Sequence, residues 1–242
     1  MADKVNRPFA VFDIDGTLIR WQLYHALNDA LARKKLINEK GFDKVRKARM
    51  NWKRRSHDLS YRDYEQQLVD LFEQELEGLK VSDLENAAQE VFDEYKDQAY
   101  IFTRDLIADL KKKDYLIFAI SASPDIIVEK LAHYYKFDDF VASTYSAKNG
   151  IYTGETNVTL GKKAEILDNL IIKNRATKKA SFAVGDSEGD SAMLELVDKP
   201  IAFNPNKQLL DHSIQKHWDI VIERKNVIYK LSFVNGTYVL GQ

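Results

Sequence analysis

Two hydrophobic rhythms alternate along the chain, and their order predicts an α/β protein. Phe9-Ala10-Val11-Phe12 is a continuous apolar run ending in Asp13-Ile14-Asp15-Gly16-Thr17. It reads as a strand buried on both faces that runs into a polar loop. From Trp21 to about Lys96 the spacing turns helical, with Tyr24, Leu27 and Leu31 on one face and Tyr61, Tyr64, Leu68, Leu71 and Phe72 on another. Ser82-Asp83-Leu84-Glu85 has capping-box form and predicts a further helix through Leu84, Ala88, Val91 and Tyr95. This stretch is expected to be a small all-helical insert.

Beyond it, strands and helices take turns. A helix through Leu106 and Leu110 leads to a strand over 115–120 that ends at Ser121. Ser123-Pro124 predicts an N-cap followed by proline at the first helical position, opening a helix through Ile127, Leu131 and Tyr134. A short strand over 140–143 and a hairpin over 145–155, turning at Asn149-Gly150, precede a helix through Ile166 and Leu170. A strand over 181–184 runs into Gly185-Asp186-Ser187-Glu188-Gly189-Asp190, residues 201–203 are expected to form the last core strand, and 220–240 a terminal hairpin around Asn235-Gly236. The fold class is therefore α/β, a mostly parallel sheet wrapped by helices.

Composition narrows the chemistry. With 36 Lys+Arg against 37 Asp+Glu over 242 residues there is no overall field to draw in nucleic acid or an anionic membrane, so charge must act locally. The absence of cysteine excludes disulfides, thiolate nucleophiles and thiolate metal sites, and the five histidines show no zinc-type spacing. The first residues are polar and the apolar run after them is too short for a signal or a span, so the expected location is cytoplasmic.

In open α/β sheets ligands bind beyond the carboxyl ends of the strands, and three predicted strands deliver Asp13 with Asp15, Ser121, and Asp186 with Asp190 to that edge. Clustered carboxylates repel unless a proton or a hard dication neutralises them, and magnesium is the simplest solution. Phosphate monoesters need a positioned nucleophile, neutralised oxygens and a proton for the leaving alkoxide. Asp13 is suited to in-line attack that forms an aspartyl-phosphate, and Asp15 to protonating the leaving oxygen and then deprotonating water. Ser121 and a lysine would hold the remaining phosphate oxygens.

These residues resemble the haloacid dehalogenase superfamily, in its phosphoserine-phosphatase-like branch, subfamily IB, over essentially the whole chain. Asp13-x-Asp15-x-Thr17 is similar to its first motif, Ser121 to the second, a lysine opening a helix to the third, and Gly185-Asp186-Ser187-x-x-Asp190 to the fourth. The resemblance implies a Rossmann-like core over 1–19 and 97–242 and a helical cap domain over 20–96. It also implies magnesium held by Asp13, the Asp15 main-chain carbonyl and Asp186, with Asp190 supporting the metal shell. Lys162 and Lys163 both follow Gly161, and the register Lys163-Ala164-Glu165-Ile166-Leu167 favours Lys163 as the phosphate ligand. Neighbouring helical residues point about 100° apart, so only one of the two reaches the site.

Departures from the pattern concern the substrate. The cap glutamate that helps recognise the serine ammonium falls on Gln22, and aligning Tyr64-Glu65-Gln66-Gln67-Leu68 with the similar cap helix puts the carboxylate-binding arginine at Leu71. The glycine after the second-motif serine is Ala122, and the usual asparagine of the fourth motif falls on Gly189. The expected substrate is thus a small phosphorylated metabolite other than phosphoserine, with phosphoserine hydrolysis, or phosphotransfer through the same Asp13 chemistry, as the alternatives. The stretch 44–55 carries Lys44, Arg46, Lys47, Arg49, Lys53, Arg54 and Arg55 without an acid. It reads as a solvated helix face or, more sharply, as a site for a second anionic group on the substrate or an extension toward nucleic acid. Trp52 beside it suits core packing or stacking on a substrate ring. A non-catalytic binding protein on this fold is disfavoured by the intact set Asp13, Asp15, Ser121, Lys163 and Asp186.

Overall fold

The computed structural model describes residues 6–57 and 59–241. Nine strands form one sheet in the order β4-β3-β2-β1-β5-β6-β7-β8-β9. The central strand β1 (Pro8–Phe12) is the apolar run that opens the sequence, and its alternation feeds two cores. Ala10 and Phe12 enter one apolar cluster, Phe9 and Val11 the other. A strand with both faces covered cannot show polar alternation, which is why this run is continuously hydrophobic.

On either side of β1 lie β2 (Leu116–Pro124) and β5 (Thr177–Gly185), both parallel to it. The carboxyl ends of all three strands therefore open on the same edge of the sheet. Farther out, β3 (Asp139–Lys148) is parallel to β2 and β6 (Lys199–Phe203) is parallel to β5. The hairpin β3–β4 (Ile151–Asn157) turns at Asn149 and Gly150 with φ of 53° and 77°. Both angles lie in the left-handed region that a type I′ turn needs and that Asn-Gly tolerates.

Three local expectations change. The strand β7 (Asp219–Arg224) pairs parallel to β6, so residues 201–203 are not the last core strand; only β8 (Val227–Val234) and β9 (Thr237–Gly241) form the terminal hairpin. Ser82 is not a cap: α4 (Val81–Tyr95) begins one residue earlier, and the Val81 amide donates to the Gly150 carbonyl at 2.9 Å. The hairpin thus accepts the first N–H of the helix, a donor that a helix start leaves without an intrahelical partner. Ser123 is not a cap either, because β2 stays extended through Pro124, which pairs with Ser143, before α6 (Asp125–Tyr135) starts.

The helices α1 (Leu23–Arg33), α2 (Glu39–Lys53), α3 (Ser60–Leu76) and α4 follow β1, and α5 (Ile101–Lys112) leads back to the sheet. The chain leaves and returns side by side: the Arg20 amide donates to the Gln98 carbonyl and the Tyr100 amide to the Leu18 carbonyl, each at 2.9 Å. The turn between α3 and α4 is also stitched to β4, with Gly78 and Tyr152 amides donating at 3.0 and 2.9 Å to Tyr152 and Leu79 carbonyls. One apolar cluster runs without a break from Ala10 and Phe12 through Leu23, Leu27, Tyr64 and Leu68 to Val91. Among the described residues no helix is long and apolar enough to cross a membrane.

Glu223 of β7 fastens the crossing point. Its buried carboxylate accepts from Arg20, from the Ile101 amide at 3.2 Å and from the Phe102 amide at 2.9 Å. No side chain at Tyr100 caps α5, so this carboxylate satisfies the first turn and meets the positive end of the helix. Glu223→Ala should lower the unfolding free energy by about 3 kcal/mol, because two buried amides lose their acceptor while half-exposed Arg20 regains water. Urea unfolding followed by circular dichroism measures this, and Glu223→Gln, which keeps an acceptor oxygen, should lose less.

Candidate active site

Asp13 lies one residue beyond β1, where its amide still donates to the Val184 carbonyl of β5 at 3.0 Å. The ladder therefore fixes its backbone, and its side chain is buried. Lys163 opens α7 (Lys163–Asn174) and is buried too, with Nζ 2.7 Å from Asp13 Oδ1 and 2.6 Å from Asp190 Oδ1. Lys162, one position earlier, is exposed and reaches Asn157 Oδ1 at 3.3 Å. Of the two candidate lysines, only Lys163 meets the carboxylates.

Asp190 ends a short 3-10 turn, Glu188–Asp190, after β5. Its Oδ2 accepts from the Asp186 amide at 3.1 Å, the Ser187 amide at 3.0 Å and the Ser187 hydroxyl at 3.1 Å. With Oδ1 on Lys163, the carboxylate has every oxygen engaged, so it ties the loop that carries Asp186 to the lysine. The packing here is tight enough to require glycine: a Cβ on Gly185 would sit 2.4 Å from the Asp190 Cβ. Gly16, with φ of +81°, faces the other side, where a Cβ would lie 2.3 Å from Asp186 Oδ2. Carboxylate oxygens of Asp13, Asp186 and Asp190 all lie within 4.8 Å of one another.

Asp15 is turned differently. It accepts from the Leu23 amide at the start of α1 and from the Ser121 hydroxyl at 2.9 Å. The Ser121 hydroxyl in turn accepts from the Ser123 amide at 3.0 Å, and the Ser121 carbonyl accepts from the Thr159 hydroxyl at 2.8 Å. Asp15 therefore connects the end of β2 to the first helix of the insert. Thr17 donates to Asp186 Oδ1 at 3.4 Å.

Burial dominates the electrostatics. It pushes Asp13 up to about 7, with Asp190 and Asp15 adding to the rise and Lys163 opposing it. Burial likewise raises Asp15 against the Leu23 and Ser121 hydrogen bonds, and raises Asp186 well above its ordinary value, helped by Asp13 and Asp190. Burial works against the Lys163 charge, but Asp13 and Asp190 outweigh it and hold the lysine above its ordinary value. One ammonium thus faces four carboxylates, a surplus of negative charge that a hard cation would relieve.

From the insert, Gln22 comes close to this centre: its Nε2 lies 3.3 Å from where a Gly16 Cβ would stand. Leu71 does not, since it is buried against Gly41 between α3 and α2. Six basic residues of the 44–55 stretch are exposed, as a solvated face requires. Arg49 alone turns inward, where Asp29 takes it at 2.8 and 2.9 Å and the Tyr64 hydroxyl at 2.8 Å. Trp52 stacks on Tyr64, with ring centroids 5.4 Å apart and planes 9° from parallel, so it packs within the insert.

Two residues near the centre lie outside the four motifs. Tyr61 and Glu65 stand one turn apart on α3, and the charges of Asp15 and Asp186 act on Tyr61 while those of Asp15, Lys163 and Asp190 act on Glu65. The available signal was their spacing: Tyr61 and Glu65 are an i, i+4 pair at the border of the face that buries Leu68 and Phe72.

A mostly parallel sheet that gathers carboxylates and a lysine at the ends of its central strands defines a Rossmann-like α/β protein with its site at the carboxyl edge. The chain belongs to the haloacid dehalogenase-like hydrolases, whose family profile matches residues 10–195. It is 24% identical over 221 residues to a phosphoserine phosphatase of Archaeoglobus fulgidus, covering 88% of this chain and 61% of that protein. It is 26% identical over 149 residues to phosphoserine phosphatase SerB1 of Mycobacterium tuberculosis, covering 60% of this chain and 48% of that one. The chain spans about half the length of the first curated relatives it matches. Among solved structures, a phospho-aspartyl intermediate analogue of phosphoserine phosphatase shares the fold, with a TM-score of 0.64 at 22% identity over 92% of this chain and 96% of that one. A protein of unknown function from Bordetella pertussis does so with a TM-score of 0.69 at 18% identity over 90% and 99%.

The ion-pair geometry separates the two lysines experimentally. Lys163→Met should cost about 3–5 kcal/mol of stability, since it strands Asp13 and Asp190 as buried charges. Lys162→Met should stay within about 0.5 kcal/mol of the parent. Chemical unfolding of both variants at neutral pH gives the comparison.

Proposed function

We propose that the chain is a magnesium-dependent phosphatase that hydrolyses a small phosphomonoester through an aspartyl-phosphate on Asp13. The observation that carries this reading is Lys163 held between Asp13 and Asp190, with Asp186 beside them. In this reading residues 20–96 act as a cap domain over a core made of 1–19 and 97–242.

The steps follow from the groups present. An Asp13 oxygen attacks phosphorus in line, the ester P–O bond breaks, and Asp15 gives its proton to the leaving alkoxide. A raised pKa suits Asp15 to carrying that proton. Asp15 then takes a proton from water, which attacks the aspartyl-phosphate and releases inorganic phosphate and free Asp13. Lys163 and the Ser121 hydroxyl are the donors for the transferring oxygens.

Asp13, Asp186 and the Asp15 main-chain carbonyl would hold magnesium. The Asp15 carboxylate is committed to Leu23 and Ser121, and Asp190 is saturated and serves as support. An all-oxygen, largely anionic donor set fits that ion. When bound, it neutralises charge on the phosphoryl oxygens.

The substrate in this reading is not phosphoserine. Gln22 brings no charge for the ammonium, Leu71 is buried, and Arg49 is consumed by Asp29 and Tyr64. A serine carboxylate would therefore enter the cleft without a cationic partner.

Asp13→Asn should lower phosphate release by about 10³-fold or more with unchanged circular dichroism, because the neutral amide does not attack phosphorus. Activity should also vanish in chelator, return with magnesium and return poorly with calcium, whose looser coordination disturbs in-line geometry. Near-normal turnover by the verified Asp13→Asn protein would exclude the mechanism. Phosphoserine should fall about 10²-fold or more in kcat/KM below the best member of a panel of phosphorylated alcohols, sugars and nucleotides; if it leads the panel, the substrate assignment fails.

A further inference from the structure

The strand β2 breaks step at its end, where the site begins. It keeps register with β3 through the Ile120–Val141 pair, then shifts and pairs again at Pro124–Ser143. Residues 121–123 fall in that interruption, and an irregularity of this kind re-aims side chains out of the ladder. Here the Ser121 hydroxyl turns to Asp15 at 2.9 Å. Buried carbonyls in such a break need partners other than the next strand. Two buried hydroxyls supply them: Thr159 donates to the Ser121 carbonyl and Ser143 to the Ala122 carbonyl, each at 2.8 Å. The Ser143 oxygen also accepts from the Thr159 amide at 3.3 Å, which links the two.

Thr159 is held on its other side as well. Its carbonyl accepts from the Lys162 amide at 3.0 Å across the turn Thr159-Leu160-Gly161-Lys162, in which Gly161 has φ of 74°. A positive φ at the third residue is that of a type II turn, which glycine adopts without strain. Lys163 follows at once and opens α7. One residue thus ties the strand end that presents Ser121 to the turn that presents Lys163, the two donors assigned to the phosphoryl oxygens. We infer that Thr159 is a positioning residue, which fixes the Ser121 hydroxyl relative to the Lys163 ammonium so that both meet one phosphoryl group.

The inference rests on the phosphatase reading for what the two donors do, and on the hydrogen bonds alone for what Thr159 holds. Donors aimed at developing charge act most strongly in the transition state, so displacing one lowers turnover more than it weakens substrate binding. A displacement of about 1 Å is enough to cost about 10²-fold in rate. Valine has nearly the shape of threonine without the donor, whereas serine keeps the donor. The two substitutions therefore separate the hydrogen bond from the packing.

The test uses 4-nitrophenyl phosphate with magnesium. Thr159→Val should lower kcat by about tenfold while KM stays within about threefold of the parent, and Thr159→Ser should recover most of the loss. Ser213→Ala is the control: it removes another buried bond, from the Ser213 hydroxyl to the Leu209 carbonyl in the helix Lys207–Lys216, and should leave kcat unchanged. Amide hydrogen exchange followed by NMR reads Ser121 directly, because the Ser123 amide donates to its hydroxyl at 3.0 Å. That amide should exchange about tenfold faster in Thr159→Val and at the parent rate in Thr159→Ser and Ser213→Ala. Should the valine variant not fold, Thr159→Ala carries the same two expectations. The inference is overturned if the folded variant keeps the parent kcat, if Ser213→Ala loses as much, or if the Ser123 amide exchanges at the parent rate. If the parent hydrolyses no ester, the phosphatase reading falls, and the Ser123 amide alone upholds or overturns the hold of Thr159 on Ser121.

Discussion

The ammonium of Lys163, buried between Asp13 and Asp190, is the contact on which the rest of the site depends. It joins the first residue of α7 to the ends of β1 and β5 at 2.7 and 2.6 Å, so three segments far apart in the chain share one charge centre. Charges removed from water this completely are costly unless every partner is in place. The surroundings are built to that demand. Asp190 spends its second oxygen on Asp186 and Ser187, and Gly185 is bare because any Cβ would displace that carboxylate. The site is therefore rigid on its sheet side.

Sheet order makes this convergence possible. Because β1 lies between β2 and β5 and runs parallel to both, Asp13, Ser121 and Asp186 emerge side by side from one edge. The apolar character of β1 and of the carboxyl-terminal half of β5 and the polarity of the loops that follow have one cause: at the centre of the sheet both faces are covered, and the carboxyl edge carries the polar residues.

The insert is coupled to that edge by more than its two chain crossings. Asp15 holds the start of α1 and Ser121 together, Glu223 fastens the departing and returning segments, and the β3–β4 hairpin supplies carbonyls to the turn before α4. The aromatic packing of Trp52, Tyr61, Tyr64 and His25 fixes α3 against α1 and α2 within the insert. The sheet side carries its charges in fixed pairs.

Much of the protein was legible in the sequence wherever the information was local. A doubly buried strand must be apolar throughout, a type I′ turn favours Asn-Gly, and an amphipathic helix must repeat near its own period, so β1, the β3–β4 hairpin and the faces of α1 and α3 could be read directly. The candidates Asp13, Asp15, Ser121, Lys163, Asp186 and Asp190 could also be named, because the sequence pattern sets each in a polar stretch that follows an apolar strand or at the start of a helix. Where a local signal competed with a distant partner, the distant partner won. The Gly150 carbonyl took the Val81 amide and put Ser82 inside the helix, the pairing of Pro124 with Ser143 kept Ser123 in a strand, and β6 recruited β7 as a parallel neighbour. Likewise only the tertiary structure turned Arg49 toward Asp29 and left its six basic neighbours in solvent. Sequence determines which groups a segment offers, through propensity and period; which of them meet is decided by packing between segments, where hydrogen bonds and burial outweigh local preference.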